Sequence, residues 1–148
     1  MVYQRILVAV DRSTASSFAL GMAIDVAKDY QARLRIIHVI QSVATLEAEG
    51  PNLEAMDAAW HREAQRILDH ASGVAAQAGV VAEIALVENE RRGIGEAIAA
   101  DGDQWSADLI VLGAHDHRGM RRILMHRVAT ETIAHTPVPV LLIRDHTP

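Results

Sequence analysis

The sequence contains no cysteine, which excludes disulfides and thiol chemistry and leaves histidine, aspartate and glutamate as the available metal ligands. It also lacks an uncharged apolar run near the roughly 18 residues that a transmembrane helix needs. Its opening, MVYQRILVAV, has neither the apolar core nor the cleavage site of a secretory signal. We therefore expect a cytoplasmic protein with no membrane partner.

Positive charge is scarce as well. The chain has 14 Lys and Arg against 19 Asp and Glu, which gives a net charge of -5. This balance disfavours general nucleic-acid binding, so we expect no nucleic-acid partner, although basic residues cluster at Arg118, Arg121, Arg122 and Arg127. The length of 148 residues predicts a single domain over residues 1–148.

Five short segments rich in Val, Ile and Leu predict β-strands, and three of them are nearly continuous in apolar residues, as in strands covered on both faces. Helical spacing between them indicates crossover connections. The sequence therefore predicts an α/β fold with a doubly wound parallel sheet. The predicted strands are Gln4–Val10, Arg33–Ile40, Val80–Val87, Asp108–Gly113 and Val138–Arg144.

Apolar spacing predicts four helices. The second has an apolar face from Leu53 to Ala78, the third is short and covers Ile94–Ala100, and the fourth continues from Met120 to Ile133. Glycines and prolines are expected to end elements at Gly79, Gly102, Pro137 and Pro139. The first helix is predicted from Phe18, Met22, Val26 and Tyr30, with Ala19, Ala23 and Ala27 alongside.

Ligands in this architecture bind beyond the carboxyl ends of the strands. The residues predicted at that edge are Asp11, Val39, Ile40, Glu88, Asn89 and those from Gly113 onward. The segment Gln41–Asn52 is a long connection without predicted structure. It is a candidate lid or partner surface, although an ordinary surface connection is the simpler interpretation.

The segment VAVDRS, Val8 to Ser13, is an apolar strand that ends in an acid and hydroxyl residues. Asp11 has two interpretations at this position. It could contact a ribose, a metal or a base, or Asp11 or Ser13 could cap the first helix, which contributes about 1 kcal/mol. Spacing alone favours capping.

Recognisable catalytic motifs are missing. The run RGIGEAI at residues 92–98 begins like a dinucleotide fingerprint but lacks the third glycine and precedes strand four, so we interpret Gly93 and Gly95 as easing a loop into a helix. No lysine-bearing phosphate loop, HExxH or GxSxG pattern is present. We therefore expect no enzymatic activity.

Histidines stand out in GAHDHRGMRRILMHRV, residues 113–128. His115 and His117 flank Asp116, and His126 follows nine residues after His117. With Asp11 these side chains are an alternative metal site. Their spacing matches no specific metal motif, so metal binding is not our leading expectation.

Three segments together resemble the universal stress protein family over essentially the whole chain: RILVAVDRS, ADLIVLGAHDHRG and VATETIAHTPVPVLLIR. The resemblance implies a five-stranded sheet of order 3-2-1-4-5. It also implies a homodimer in which the last strand pairs with its symmetry mate, which suits an apolar edge strand. The candidate interface residues are Val138, Val140, Leu142 and Arg144.

Nucleotide-binding members of the family carry G-x2-G-x9-G-[ST] after the fourth strand. Counted from Gly113, the later positions are Asp116, His126 and Arg127, so one of the four is kept. A carboxylate about 4 Å from a phosphate charge costs about 4 kcal/mol at an effective dielectric of about 20. The sequence therefore predicts weak or absent binding of ATP.

The resemblance places Asp11 and Val39 at the adenine. Two functional hypotheses follow, a dimeric stress-response protein that acts through protein partners, and a sensor of ATP or AMP in which Arg118 and Arg127 hold the phosphate. The candidate nucleotide-binding residues are Val10, Asp11, Val39, Gly113, His115, Asp116, Arg118, Gly119, His126 and Arg127.

Overall fold

The computed structural model describes residues 2–42, 52–114 and 120–145, and for residues 120–126 it describes the backbone alone. Its centre is a five-stranded sheet of order β3-β2-β1-β4-β5 in which every pairing is parallel. The predicted fold and strand order are therefore confirmed. The strands are β1 Arg5–Ala9, β2 Arg33–Gln41, β3 Ala82–Asn89, β4 Leu109–Ala114 and β5 Val140–Arg144.

Helices cover both faces of the sheet. One face carries a core cluster that includes residues of α1 and α2, and the other carries a smaller cluster under α3 and α4. None of the helices in the described ranges is both long and apolar enough to cross a membrane. The helices are α1 Thr14–Tyr30, α2 Leu53–Gln77, α3 Ile94–Trp105 and α4 Met120–His135.

The apolar stripe predicted for α1 is only partly correct. The alanines Ala19, Ala23 and Ala27 are buried, together with Leu20 and Ile24. By contrast, three of the large side chains expected on the core face are substantially exposed: Phe18 at 43%, Met22 at 39% and Tyr30 at 41%. Small alanines allow the helix to lie close to the sheet, and the bulky residues are therefore displaced to its outer flank.

The third helix is longer than predicted, because Gly102 does not end it. Gly102 is buried inside α3, and a Cβ there would lie 3.1 Å from Ile110 Cδ1, so the glycine permits close packing on the sheet. The helix ends instead at Ser106, which adopts a left-handed conformation with φ of 63°. Gly79 does follow α2, with φ of 87°.

The glycines of RGIGEAI also serve packing. A Cβ at Gly95 would lie 2.4 Å from the carbonyl oxygen of Val128, and one at Gly93 would overlap Glu131. Both glycines therefore let the start of α3 approach α4. Thr132 secures this contact, since its hydroxyl lies 3.2 Å from the Gly95 carbonyl oxygen.

Candidate functional site

A cavity of about 290 Å³ opens at the carboxyl ends of β1, β2 and β4, which is the edge where ligands bind in such sheets. We call it the β1–β2–β4 cavity. Its walls are mainly apolar with a few polar groups, the usual character of a small-molecule site. The lining residues are Ala9, Val10, Asp11, Ser16, His38, Val39, Ile94, Ile98, Leu112, Gly113 and Val128.

Val39 lies at this cavity, beyond the last residue of β2 that pairs with β1. Pairing between β1 and β2 ends at Ala9 and Ile37, and the Ile37 carbonyl accepts a 2.9 Å hydrogen bond from Val10 N–H. Because backbone groups alternate sides along a strand, the N–H and C=O of Val39 point the same way as those of Ile37. They therefore point past the end of β1, where they can pair with a ligand edge that offers one acceptor and one donor.

His38 fixes the chain beside Val39. Its Nδ1 lies 2.6 Å from the Val10 carbonyl oxygen, so Nδ1 is the donor, and in the neutral ring Nε2 is an acceptor. This contact joins β2 to the end of β1 after the ladder has stopped. The sequence interpretation missed His38, although a histidine within the otherwise apolar run IIHVI was a usable signal.

Asp11 precedes α1 and is hydrogen-bonded to the serines around its start. Ser13 is the N-cap, because its Oγ accepts a 3.1 Å bond from Ser16 N–H. Asp11 Oδ1 accepts a 2.7 Å bond from Ser13 N–H, and Asp11 N–H donates to Ser16 Oγ at 2.8 Å. Ser13 thus performs the capping that the sequence allowed for either residue, and the Asp11 carboxylate lies exposed at the cavity.

Gly113 lies in β4 and lines the cavity floor. A Cβ there would lie 2.6 Å from the carbonyl carbon of Ala15 and 2.9 Å from the nitrogen of Ser16. The glycine is therefore required where β4 passes the first turn of α1. This packing role exists whether or not a phosphate binds nearby.

Most of the predicted phosphate and metal candidates lie outside the described residues: His115, Asp116, His117, Arg118, Gly119 and the side chain of His126. Arg127 is exposed on α4 and precedes Val128, which lies in the cavity wall.

The apolar wall residues Ile94, Ile98 and Leu112 were not predicted as site residues, because nothing distinguishes their sequence pattern from that of ordinary core positions.

The predicted edge residues of β3 have different roles. Asn89 is buried and shapes the following turn, since its Nδ2 donates to Gln41 Oε1 at 3.1 Å and its Oδ1 accepts from Arg92 N–H at 3.2 Å. Glu88 is exposed and lies 2.6 Å from Nε2 of His61 in α2. The Asp57 carbonyl and the Glu88 carboxylate together raise the pKa of His61 above its ordinary value.

A second cavity, of about 500 Å³, lies between α1 and α2 and shares Val10, Asp11 and Ser16 with the first. At its rim Arg12 pairs with Glu63. The hydrogen bond from Arg12 holds the pKa of the Glu63 carboxyl below its usual range. The shared wall makes Asp11 a common element of both cavities.

The profile of the Universal stress protein family matches residues 2–144. The chain belongs to this family. It is 29% identical over 145 residues to a universal stress protein of Methanocaldococcus jannaschii, covering 97% of this chain and 83% of that one. A universal stress family protein of Burkholderia pseudomallei has a similar structure, with a TM-score of 0.78 and 30% identity over 95% of this chain and 96% of that one.

More distant members share the fold and were solved with nucleotides. The universal stress protein of Archaeoglobus fulgidus in complex with dAMP has a TM-score of 0.67 at 21% identity, over 97% of this chain and 99% of that one. An Arabidopsis thaliana family protein with AMP bound has a TM-score of 0.69 at 17% identity, over 97% and 93%. At such identities the similarity shows the fold.

Proposed function

We propose that this universal stress protein is a non-catalytic cytoplasmic module that binds the adenosine part of an adenine nucleotide in the β1–β2–β4 cavity and binds ATP only weakly. The observation that carries the proposal is the pair of Val39 backbone groups that point past the end of β1. They lie beside an apolar slot at the ligand-binding edge of the sheet.

The chemistry of the slot suits a purine. Ile94 and Ile98 are one helical turn apart on α3, and both line the cavity opposite Val39 and Leu112 on the sheet. Apolar walls stabilise an aromatic ring by burying its faces. Adenine offers a donor and an acceptor side by side on one edge, which matches the N–H and C=O of Val39. The AMP and dAMP complexes of the distant relatives support this choice of base.

Arg127 is exposed and directly precedes Val128, which lines the cavity, and we assign it the role of attracting the phosphate. The sequence has Asp116, His126 and Arg127 where nucleotide-binding relatives have glycine, glycine and a hydroxyl residue. A second and third phosphate add little affinity, because the glycines that would let backbone amides approach them are missing from the sequence. ATP therefore binds no more tightly than AMP.

A binding role also suits the hydroxyl groups beside the cavity. The oxygens of Ser13 and Ser16 accept backbone N–H groups at the start of α1, so they hold the chain in place. A serine nucleophile would instead need a general base to activate it. This arrangement supports recognition without chemistry.

The exposed flank of α1 and the edge strand β5 support a homodimer. Phe18 and Met22 line a depression of about 610 Å³ together with Leu142 of β5, and Leu142 is 40% exposed. A second copy placed on this surface would cover both the free edge and the apolar side chains. The predicted interface residues Val138 and Val140 belong to a different environment, because both pack against the core under α3 and α4, and Val138 also precedes β5.

Thermal unfolding with adenosine, AMP, ATP and GMP tests the proposed function. A ligand at about 100 times its dissociation constant stabilises by about 2.7 kcal/mol, which raises the midpoint by roughly 5–11 °C for a chain of this size. We expect AMP to raise it, ATP to do so no more strongly, and GMP to have little effect. The proposal fails if millimolar AMP gives no shift or if GMP stabilises equally.

A further inference from the structure

A histidine and a carboxylate of α2 meet a carboxylate of β3 away from the β1–β2–β4 cavity. Asp57 and His61 lie in the first half of α2, and Glu88 lies near the end of β3. One ligand atom from each residue can be chosen so that all three lie within 4.8 Å of one another. Side chains this close can share one small ion.

The geometry of α2 explains how two of the three residues come together. Asp57 and His61 are four residues apart, so their side chains lie on the same face one turn apart. His61 Nδ1 donates to the backbone carbonyl of Asp57 at 2.8 Å and lies 3.5 Å from its carboxylate Oδ1. The carbonyl contact assigns one proton to Nδ1, and Nε2 donates its own proton to Glu88 Oε1, so an ion binds Nε2 by displacing that proton. The Asp57 carboxylate lies on the Nδ1 side and is 46% exposed, so it must rotate to reach the same ion.

The third member faces that nitrogen. Glu88 Oε1 lies 2.6 Å from His61 Nε2. An ion between them needs these atoms to move slightly apart, and the Glu88 side chain can rotate because it is 53% exposed. The open side of the cluster also leaves room for water to complete the coordination of an ion.

We propose that Asp57, His61 and Glu88 form a binding site for a divalent first-row transition metal such as Zn²⁺. One imidazole nitrogen with two carboxylates suits Zn²⁺ or Co²⁺ better than Ca²⁺ or Mg²⁺, which prefer oxygen alone. Metal-binding histidines typically donate their other ring N–H to a carbonyl or carboxylate, and His61 does so to Asp57. The bound metal would clip α2 to the edge strand β3.

The site differs from the alternative metal centre at His115, His117 and His126. Metal titration of variants distinguishes the two sites. Tag-free protein stripped with a chelator is titrated with Zn²⁺ by calorimetry and with Co²⁺ by visible absorption. We expect one equivalent to bind at micromolar metal. The variants His61→Ala and Glu88→Gln should each weaken binding at least tenfold and remove the Co²⁺ absorption band.

The matched control is His70→Ala, which removes another exposed histidine of the same helix and should leave binding unchanged. Circular dichroism of each variant checks that it is folded. The proposal is overturned if wild-type protein binds no metal, if His61→Ala binds as wild type does, or if His70→Ala weakens binding equally. It is also overturned if replacing His115, His117 and His126 abolishes binding while His61→Ala does not.

Discussion

The missing side chain of Gly113 is what allows β4 to pass beneath Ala15. A Cβ at position 113 would lie 2.6 Å from the carbonyl carbon of Ala15 and 2.7 Å from its oxygen. Both contacts are with backbone, which cannot rotate out of the way as a side chain can. This single approach sets the distance between the floor of the β1–β2–β4 cavity and the start of α1.

Gly113→Ala should therefore destabilise the protein, by about 1–3 kcal/mol for a methyl group forced into a packed region. Gly73→Ala is the matched control, because a Cβ there has no atom within 4 Å and Gly73 lies inside α2. It should stabilise by about 0.5–1 kcal/mol. Urea unfolding measures both, and equal stability of Gly113→Ala and the wild type would contradict the packing account.

Glu83 should make stability depend on pH in acid. Partial burial opposes its ionisation, but the hydrogen bonds from Arg35 and Arg33 outweigh that cost and hold the pKa of Glu83 below its ordinary value. Arg33 lies 2.7 Å and Arg35 2.9 Å from its two carboxylate oxygens. Because the pKa is lowered on folding, the stabilisation is fully present above the ordinary value and is lost as the pH falls through the folded one.

Glu83→Gln should consequently be less stable than the wild type at neutral pH and approach it below about pH 4. Urea midpoints across this range measure the difference. Glu90→Gln removes an exposed carboxylate in a loop and serves as the control. If the difference in stability between Glu83→Gln and the wild type were the same at every pH, the ion pairs of Glu83 would not be the cause of that difference.

Leu142→Lys should prevent dimerisation, since it puts a charge on the exposed apolar face of β5. Light scattering after size exclusion should then report a monomer at concentrations where the wild type is a dimer. Val81→Lys is the control, because Val81 is 95% exposed and precedes β3 at the opposite side of the sheet. A monomeric wild type, or a dimeric Leu142→Lys variant, would rule out this interface.

Arg127→Ala should weaken binding of AMP and ATP about tenfold, which corresponds to about 1.4 kcal/mol. Adenosine has no phosphate, so its affinity should not change. Calorimetry on the three ligands separates these effects. A loss that is equal for adenosine would place Arg127 at the nucleoside instead, and unchanged nucleotide binding would remove its role.

The sheet was predictable from the sequence because buried parallel strands are nearly continuous in apolar residues. The exposure of Phe18 and Met22 on α1 was not predictable, because both follow the helical spacing of a buried apolar stripe. The extension of α3 was missed for a related reason. A glycine can mark either a helix end or a close contact with a sheet. Only the contact of Gly102 with Ile110 distinguishes the two roles here.

The candidate site was also partly predictable from the sequence. Asp11 and Val39 follow from their positions at the ends of β1 and β2. His38 and His61 depend on tertiary contacts with Val10 and Glu88, residues that are 28 and 27 positions away in sequence. No local spacing indicates which residue will lie opposite such a side chain.

An amide NMR titration with AMP tests most directly whether the Val39 backbone binds the adenine edge. As AMP is added, the Val39 N–H resonance should shift with the binding curve, together with the methyl groups of Ile94 and Ile98, while GMP leaves them in place. Saturation by AMP with no change at Val39, or the absence of any shift at millimolar AMP, would contradict the claim.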